Sequence, residues 1–380
     1  MRGENILMNK VSIGIIGIGN MGSIYAKNLK EGLIPEGKLI AVCDKDVKRL
    51  KWAEENLGRD IKRYDNYEDL FNDKDLTAVI IASPHYEHPL LAIRAFESNL
   101  HVLIEKPAGV YTKQVRKMNE AAAMSNKVFG IMYNQRTRPA YQRLKDLVKS
   151  GELGEIKRTN WIITDWYRPQ SYYDSGTWRA TWGGEGGGVL LNQNLHNLDI
   201  WQWICGMPSR VRAFCYFGKY HDIEVEDDVT AFVEYENGAT GVYVTSTADA
   251  PGTNRLEITG DRGKMVVENE KLTFWRLRYS ERMFNKECKG GFGEPECWKC
   301  EVPIKGKDTE EHIEIINNWV DAILNGSELL SPGEDGINGL MISNAMLLST
   351  WTDDWVEIPI NEELFYEKLR GKIEISKFNK

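Results

Sequence analysis

Along the first third of the chain, short and almost unbroken apolar runs alternate with segments whose apolar residues recur every three or four positions. The runs VSIGII (11–16), KLIAVCD, TAVIIAS, HVLIEKP and KVFGIMYN read as strands, with a shorter one at 61–64. Between them, helices are expected after residue 22 and at 46–57, 67–71, 87–98 and 112–125. Runs without polar alternation belong to strands covered on both faces, and strands alternating with helices predict a parallel, doubly wound sheet.

The alternation stops near residue 138. A helix over 141–150 and the strand EIKRTNWIITDW lead into an aromatic, glycine-rich stretch, SGTWRATWGGEGGGVLLNQNLHNLDIWQWICGMP, which begins as a loop and becomes a helix. On that helix Asn192, His196 and Asp199 fall at i, i+4 and i+7, on one face. Six strands follow, several joined by glycine turns (236–238, 260–263), and together they predict an antiparallel or mixed open sheet. Two helices close the chain, EEHIEIINNWVDAIL and INGLMISNAMLLSTWTDDW. The expected architecture is α/β: a Rossmann domain over 1–137 and an α+β domain over 138–380 for substrate binding and oligomerisation, a late helix returning to the first domain.

Composition narrows the partners. With 56 acidic against 48 basic residues the net charge is -8, which opposes binding to a polyanion and argues against nucleic acid. No apolar run approaches the roughly 18 residues of a membrane span, and positions 1–10 lack the apolar core of a secretion signal, so cytoplasmic residence is the expectation. Of six cysteines, Cys43 and Cys205 sit in apolar runs and read as core. Cys288, Cys297 and Cys300 crowd into KECKGGFGEPECWKC, but no fourth ligand accompanies them; they read as a reduced, thiol-rich loop, and no metal is expected.

The candidate chemistry begins at the end of the first strand. Gly17, Gly19 and Gly22, with Asn20 and Met21 between them, form G-x-G-x-x-G between a strand and a helix. There the first glycine permits the turn, the second admits a pyrophosphate against the backbone, the third allows close packing, and the helix N-terminus favours the anion. Asp44, 22 residues beyond Gly22, stands where a carboxylate accepts the ribose hydroxyls and repels a 2′-phosphate. That favours NAD, with Lys45 beside it leaving NADP open. Ligands bind beyond the carboxyl ends of such strands, which places Ser83, Pro84, His85, Glu105, Lys106 and Asn134 near the cofactor. His85 and His88, in SPHYEHP, read as loop residues on the nicotinamide side.

The motifs GIGNMG, IEKPAG, GGGVLLNQNLHNLD and PGEDGINGLMISNAMLLS, in that order across nearly the whole chain, resemble the glucose-fructose oxidoreductase, inositol dehydrogenase and MocA family. The resemblance implies a Rossmann domain followed by an open-faced mixed sheet, a homo-oligomer (dimer or tetramer) often formed through that sheet, and reversible oxidation of a carbinol in a sugar-like small molecule. It matches Lys106 to the lysine of E-K-P beside the reacting carbon and His196 to the histidine of D-x-x-x-H. Where many relatives carry the aspartate of that pattern, this chain has Asn192, whose amide exchanges no proton at neutral pH; His196, or Lys106 with a lowered pKa, must then move the proton. Trp166, Tyr167, Arg168, Trp178, Arg179 and Trp182 are candidates to line the sugar pocket, since aromatic faces stack on pyranose C–H faces. Two other functions fit the same motifs: elimination of a glycoside through transient oxidation by a tightly held NAD, and a non-catalytic cofactor sensor.

Overall fold

A computed structural model describes residues 10–306 and 310–378; positions 1–9, read above for a secretion signal, lie outside it. The described residues divide into two compact units, the first drawn from 10–109, 113–134 and 310–337, the second from 110–112, 135–306 and 338–378.

In the first unit the elements are β1 (Val11–Ile16), α1 (Asn20–Lys30), β2 (Gly37–Cys43), α2 (Val47–Leu57), β3 (Lys62–Tyr64), α3 (Tyr67–Phe71), β4 (Ala78–Ile81), α4 (His88–Glu97), β5 (His101–Ile104), α5 (Thr112–Ser125) and β6 (Phe129–Ile131). All six strands pair in parallel, in the order β3-β2-β1-β4-β5-β6. This is the dinucleotide-binding order, and its reversal point lies between β1 and β4. Ile13, Ile15, Ile80 and Leu103 are fully buried, as strands covered on both faces require.

The second unit holds α6 (Pro139–Lys149), β7 (Ile156–Ile163), α7 (Gln170–Tyr173), α8 (Leu195–Cys205), β8 (Arg210–Phe217), β9 (Glu226–Glu234), β10 (Thr240–Ser246), β11 (Asn254–Gly260), β12 (Gly263–Glu268), β13 (Lys271–Leu277), α9 (Glu281–Glu287) and β14 (Cys297–Val302). After them come α10 (Glu311–Asn325), α11 (Gly336–Thr352), β15 (Val356–Glu357) and α12 (Glu362–Glu374). Of these, α10 packs Ile315, Ile316, Trp319 and Val320 into the core of the first unit.

Nine strands form one mixed sheet, β14-β13-β12-β11-β7-β10-β9-β8-β15, in which β7 and β10 are parallel and every other pair is antiparallel. Side chains alternate along these strands. On one face Trp161 meets Tyr141 of α6 edge-on at 5.9 Å, and Tyr243 stacks on Trp201 of α8 at 5.2 Å. The other face leaves Ile162, Phe214, Tyr216 and Phe232 exposed.

Three expectations need correction. Asn192 is not on a helix: the 188–194 segment is a chain of turns, closed by Asn192 N–H to Gly188 O (2.9 Å) and Asn194 N–H to Val189 O (2.8 Å), and α8 begins at Leu195. The three glycines before it allow that path, and the spacing of 192, 196 and 199 imitated a helical face. His88, read as a loop residue, belongs instead to the helix expected over 87–98 and opens α4, because Pro89 is tolerated in a first helical turn; His85 occupies a single 3-10 turn. Cys297 and Cys300 lie on β14, not in a loop, while Cys288 follows α9. All six thiols are free, and no group of three or more metal-ligating side chains occurs among the described residues. No helix among those residues is long and apolar enough to cross a membrane.

Candidate active site

The first unit gathers its candidates at the carboxyl ends of its strands. Gly17 has φ +89°, and a Cβ there would stand 2.5 Å from the Ala82 carbonyl oxygen. A Cβ on Gly22 would stand 1.9 Å from Gly17 O, so the turn closes only without side chains. Gly19 caps α1 and contributes no side-chain bond to its first turn, whereas Asp46 and Asn66 cap α2 and α3 with theirs. The N–H groups opening α1 are thus left for an anion, as a pyrophosphate cradle requires. Asn20 and Met21 are the first two residues of α1, Met21 packing against the core.

Asp44, just past β2, accepts Ile18 N–H at 2.7 Å and Asp46 N–H at 2.9 Å, and Arg49 reaches it at 3.4 Å. Its carboxylate therefore braces the glycine turn. Past β4, Ser83 keeps a buried hydroxyl with no partner among the described residues, beside exposed Pro84. His88 is sealed in, its two ring nitrogens 2.7 Å from the Ser83 and Pro107 carbonyls, and desolvation pulls its pKa below the ordinary histidine value. That histidine ties the loop after β4 to the loop after β5, where Lys106 stands half-buried.

Glu105 is buried; it accepts the phenol of Tyr25, from α1, and the Lys106 N–H at 3.0 Å. Burial, then the neighbouring Glu105 charge, raises the Tyr25 pKa well above its ordinary value, so the phenol stays protonated. Tyr25 was not legible as a site residue, since its position on α1 is an ordinary core position. Asn134 donates to Glu311 at 2.6 Å. A cradle of glycines, an uncapped helix start, a carboxylate just past β2 and an orphaned hydroxyl fit a dinucleotide.

The second unit gathers the rest around Tyr172. Its phenolic oxygen accepts from Arg179 Nη1 (3.0 Å), Asn192 Nδ2 (3.3 Å) and Gln193 Nε2 (3.4 Å). Arg179 lies 4.7 Å from the centroids of both Tyr172 and Trp178; Arg168 lies 5.1 Å from Tyr172 and 5.4 Å from Trp166. Four of the aromatic and cationic candidates, Trp166, Arg168, Trp178 and Arg179, are therefore brought together with Asn192. Trp182 is core, packed on Trp351 and Phe217, and Tyr167 is exposed.

Sequence reasoning missed Glu185. It is 2% exposed, accepts the Ala180 N–H at 2.6 Å and the Asn192 amide, and sits 3.9 Å from Arg179. Nothing in a glycine-rich turn gives it periodicity; the one available signal was a lone carboxylate in GGEGGG. His196 is half-buried in the first turn of α8. Asp199, one turn on, is held by Arg136 through Nε (2.8 Å) and Nη2 (2.6 Å), both residues 1% exposed, and so anchors the helix.

The Rossmann order, the glycine turn and the carboxylate after β2 define an NAD-binding oxidoreductase. The chain belongs to the GFO/IDH/MocA family: residues 11–133 match its oxidoreductase family with NAD-binding Rossmann fold, and 141–266 match its C-terminal domain. It is 27% identical to the myo-inositol 2-dehydrogenase of Thermotoga maritima over 269 residues, 69% of this chain and 76% of that one. It is 28% identical to an inositol 2-dehydrogenase of Rubrobacter xylanophilus over 362 residues, 92% of each. Among solved structures it resembles the WlbA dehydrogenase of Chromobacterium violaceum, in complex with NADH and UDP-GlcNAcA, with TM-score 0.78, 26% identity, and coverage of 94% and 98%.

Proposed function

We propose that this protein is a cytoplasmic, NAD-dependent dehydrogenase that reversibly oxidises a secondary hydroxyl of a sugar or sugar derivative. The observation that carries the reading is the glycine turn at 17–22 with Lys106 just past β5 of the same sheet, on the ligand-facing ends of its strands. Support comes from relatives named for inositol oxidation and from the WlbA structure, which holds NADH together with a sugar nucleotide.

When bound, the nicotinamide supplies a two-electron acceptor for the carbinol C–H. The chain's own residues do the rest. His196 takes the hydroxyl proton and returns it in reduction; Lys106 offsets the negative charge that develops on the carbinol oxygen. Asn192 exchanges no proton; with its Nδ2 donating to Glu185 and Tyr172, its amide is held in one orientation for a substrate hydroxyl. NAD is preferred over NADP through Asp44. Self-association through the sheet is supported by exposed Phe214, Tyr216 and Phe232 on one face, and size-exclusion chromatography with light scattering reads the number of copies.

The test is NADH formation at 340 nm over a panel of inositols, aldoses, uronic acids, anhydrosugars and glycosides. His196→Ala should lower kcat by about 10²–10⁴-fold while the NADH dissociation constant stays within about twofold. Full activity in that variant removes His196 from the mechanism, and repeated turnover of a glycoside without net NADH replaces dehydrogenation by elimination.

A further inference from the structure

Two hydrogen-bond donors beside Tyr172, on Arg168 and Trp166, are buried without acceptors among the described residues. Arg168 donates from Nη1 to its neighbour's carbonyl, Tyr167 O (2.9 Å), while its Nε is buried with no acceptor among the described residues. The indole N–H of Trp166, whose ring lies 5.4 Å from the same guanidinium, is likewise buried without an acceptor. A buried donor left unpaired is costly, so two in one cluster ask for an acceptor-rich group.

The charges point the same way. Glu185, 3.9 Å from Arg179, offsets one guanidinium, and it already accepts the Ala180 N–H and the Asn192 amide. Asp227, another buried carboxylate of the second unit, is occupied by three backbone N–H groups and the His221 ring, whose second nitrogen faces Arg168 O at 2.8 Å. Arg168 forms no ion pair with a carboxylate among the described residues; its neighbours are aromatic faces and a carbonyl. A guanidinium with spare N–H groups, flanked by an indole N–H, matches the acceptor geometry of a carboxylate or a phosphate.

We propose that Arg168, with Trp166 and Arg179, binds an anionic group on the substrate, so that the sugar oxidised is a uronic or aldonic acid or a sugar phosphate rather than a neutral polyol. The inference rests on the dehydrogenase reading above and names its substrate class.

Isothermal titration of the NADH-saturated protein with D-glucuronate against D-glucuronamide, and with glucose 6-phosphate against glucose, tests it. At least one anion should bind 10-fold or more tighter than its neutral counterpart, and the pair that shows this distinguishes carboxylate from phosphate. Arg168→Gln should cut that preference by about 10–100-fold, the size of a charge-assisted hydrogen bond. The preference is a ratio within one protein, so a general loss of packing at Tyr172 does not mimic it. Should Arg168→Gln fail to fold, Arg168→Lys, which keeps the charge and loses the fork, should keep part of the preference and lose part. Parity between each anion and its neutral counterpart, failure of both anions to bind, or a preference untouched by substitution of Arg168 overturns the proposal. Neutral polyols oxidised while acids and phosphates are ignored would sink this inference and leave the dehydrogenase reading standing. Tight anion binding with no NADH formed on any sugar would do the reverse.

Discussion

Glu226 shows how much one side chain can govern at a distance from the reaction. On β9 and fully buried, it accepts the Gly188 and Leu190 N–H groups through Oε1 (2.9 and 3.1 Å), pinning the turns that carry Asn192 toward α8, while Oε2 has no partner among the described residues. Desolvation raises its pKa from the ordinary 4.5 to about 7, against the opposing pull of those N–H groups. Between these values the folded chain holds a proton that the unfolded chain has released. The stability this proton gives is complete below pH 4.5 and is lost as pH rises through about 7. Glu226→Gln keeps the acceptor and puts an uncharged NH₂ at the orphaned position. Thermal melts should therefore fall less between pH 5.5 and 8 in the variant than in the parent; parallel declines would show that Glu226 is not the titrating group.

At the scale of elements, α8 is buried at nearly every position, and the Arg136–Asp199 pair is dry on both sides. Removing one partner leaves the other charged and dry. Arg136→Met should cost about 3–5 kcal/mol in urea unfolding, whereas Arg136→Met with Asp199→Leu should recover most of it. A loss equal in both variants would assign the cost to packing alone. The single variant should also lower kcat, because His196 lies one turn from Asp199.

The same elements show what could be read beforehand. Strands β1, β2 and β4 to β6 were legible because mostly buried strands leave nearly unbroken apolar runs, and the 17–22 turn because its glycines answer a steric demand. Strand β14 was not: CWKCEV is exposed along nearly its whole length, so no alternation marks it. Glu185 was hidden for another reason. It meets Asn192, seven residues on, through turns whose geometry is written in glycines rather than in a repeat.

For the molecule as a whole, cofactor and folding are linked. NAD held at 100 times its dissociation constant should add about 2.7 kcal/mol to the stability of the unit that binds it, read as a rise in its unfolding midpoint. Gly22→Ala, with no room for its methyl beside Gly17 O, should lose that rise as well as stability. A rise preserved in the variant would place the dinucleotide elsewhere.

The thiols sort themselves by reach. Burial pushes Cys43 up to about 12 and raises Cys205 and Cys215 as well, while Cys297 and Cys300 stand open to solvent on the outermost strand of the nine. A maleimide dye should consequently mark that rim first and leave the interior sulfurs unlabelled, giving a reporter attached to a sheet border that the proposed chemistry never touches. The same two sulfurs will join separate molecules in air, so the purified protein belongs under a reducing agent.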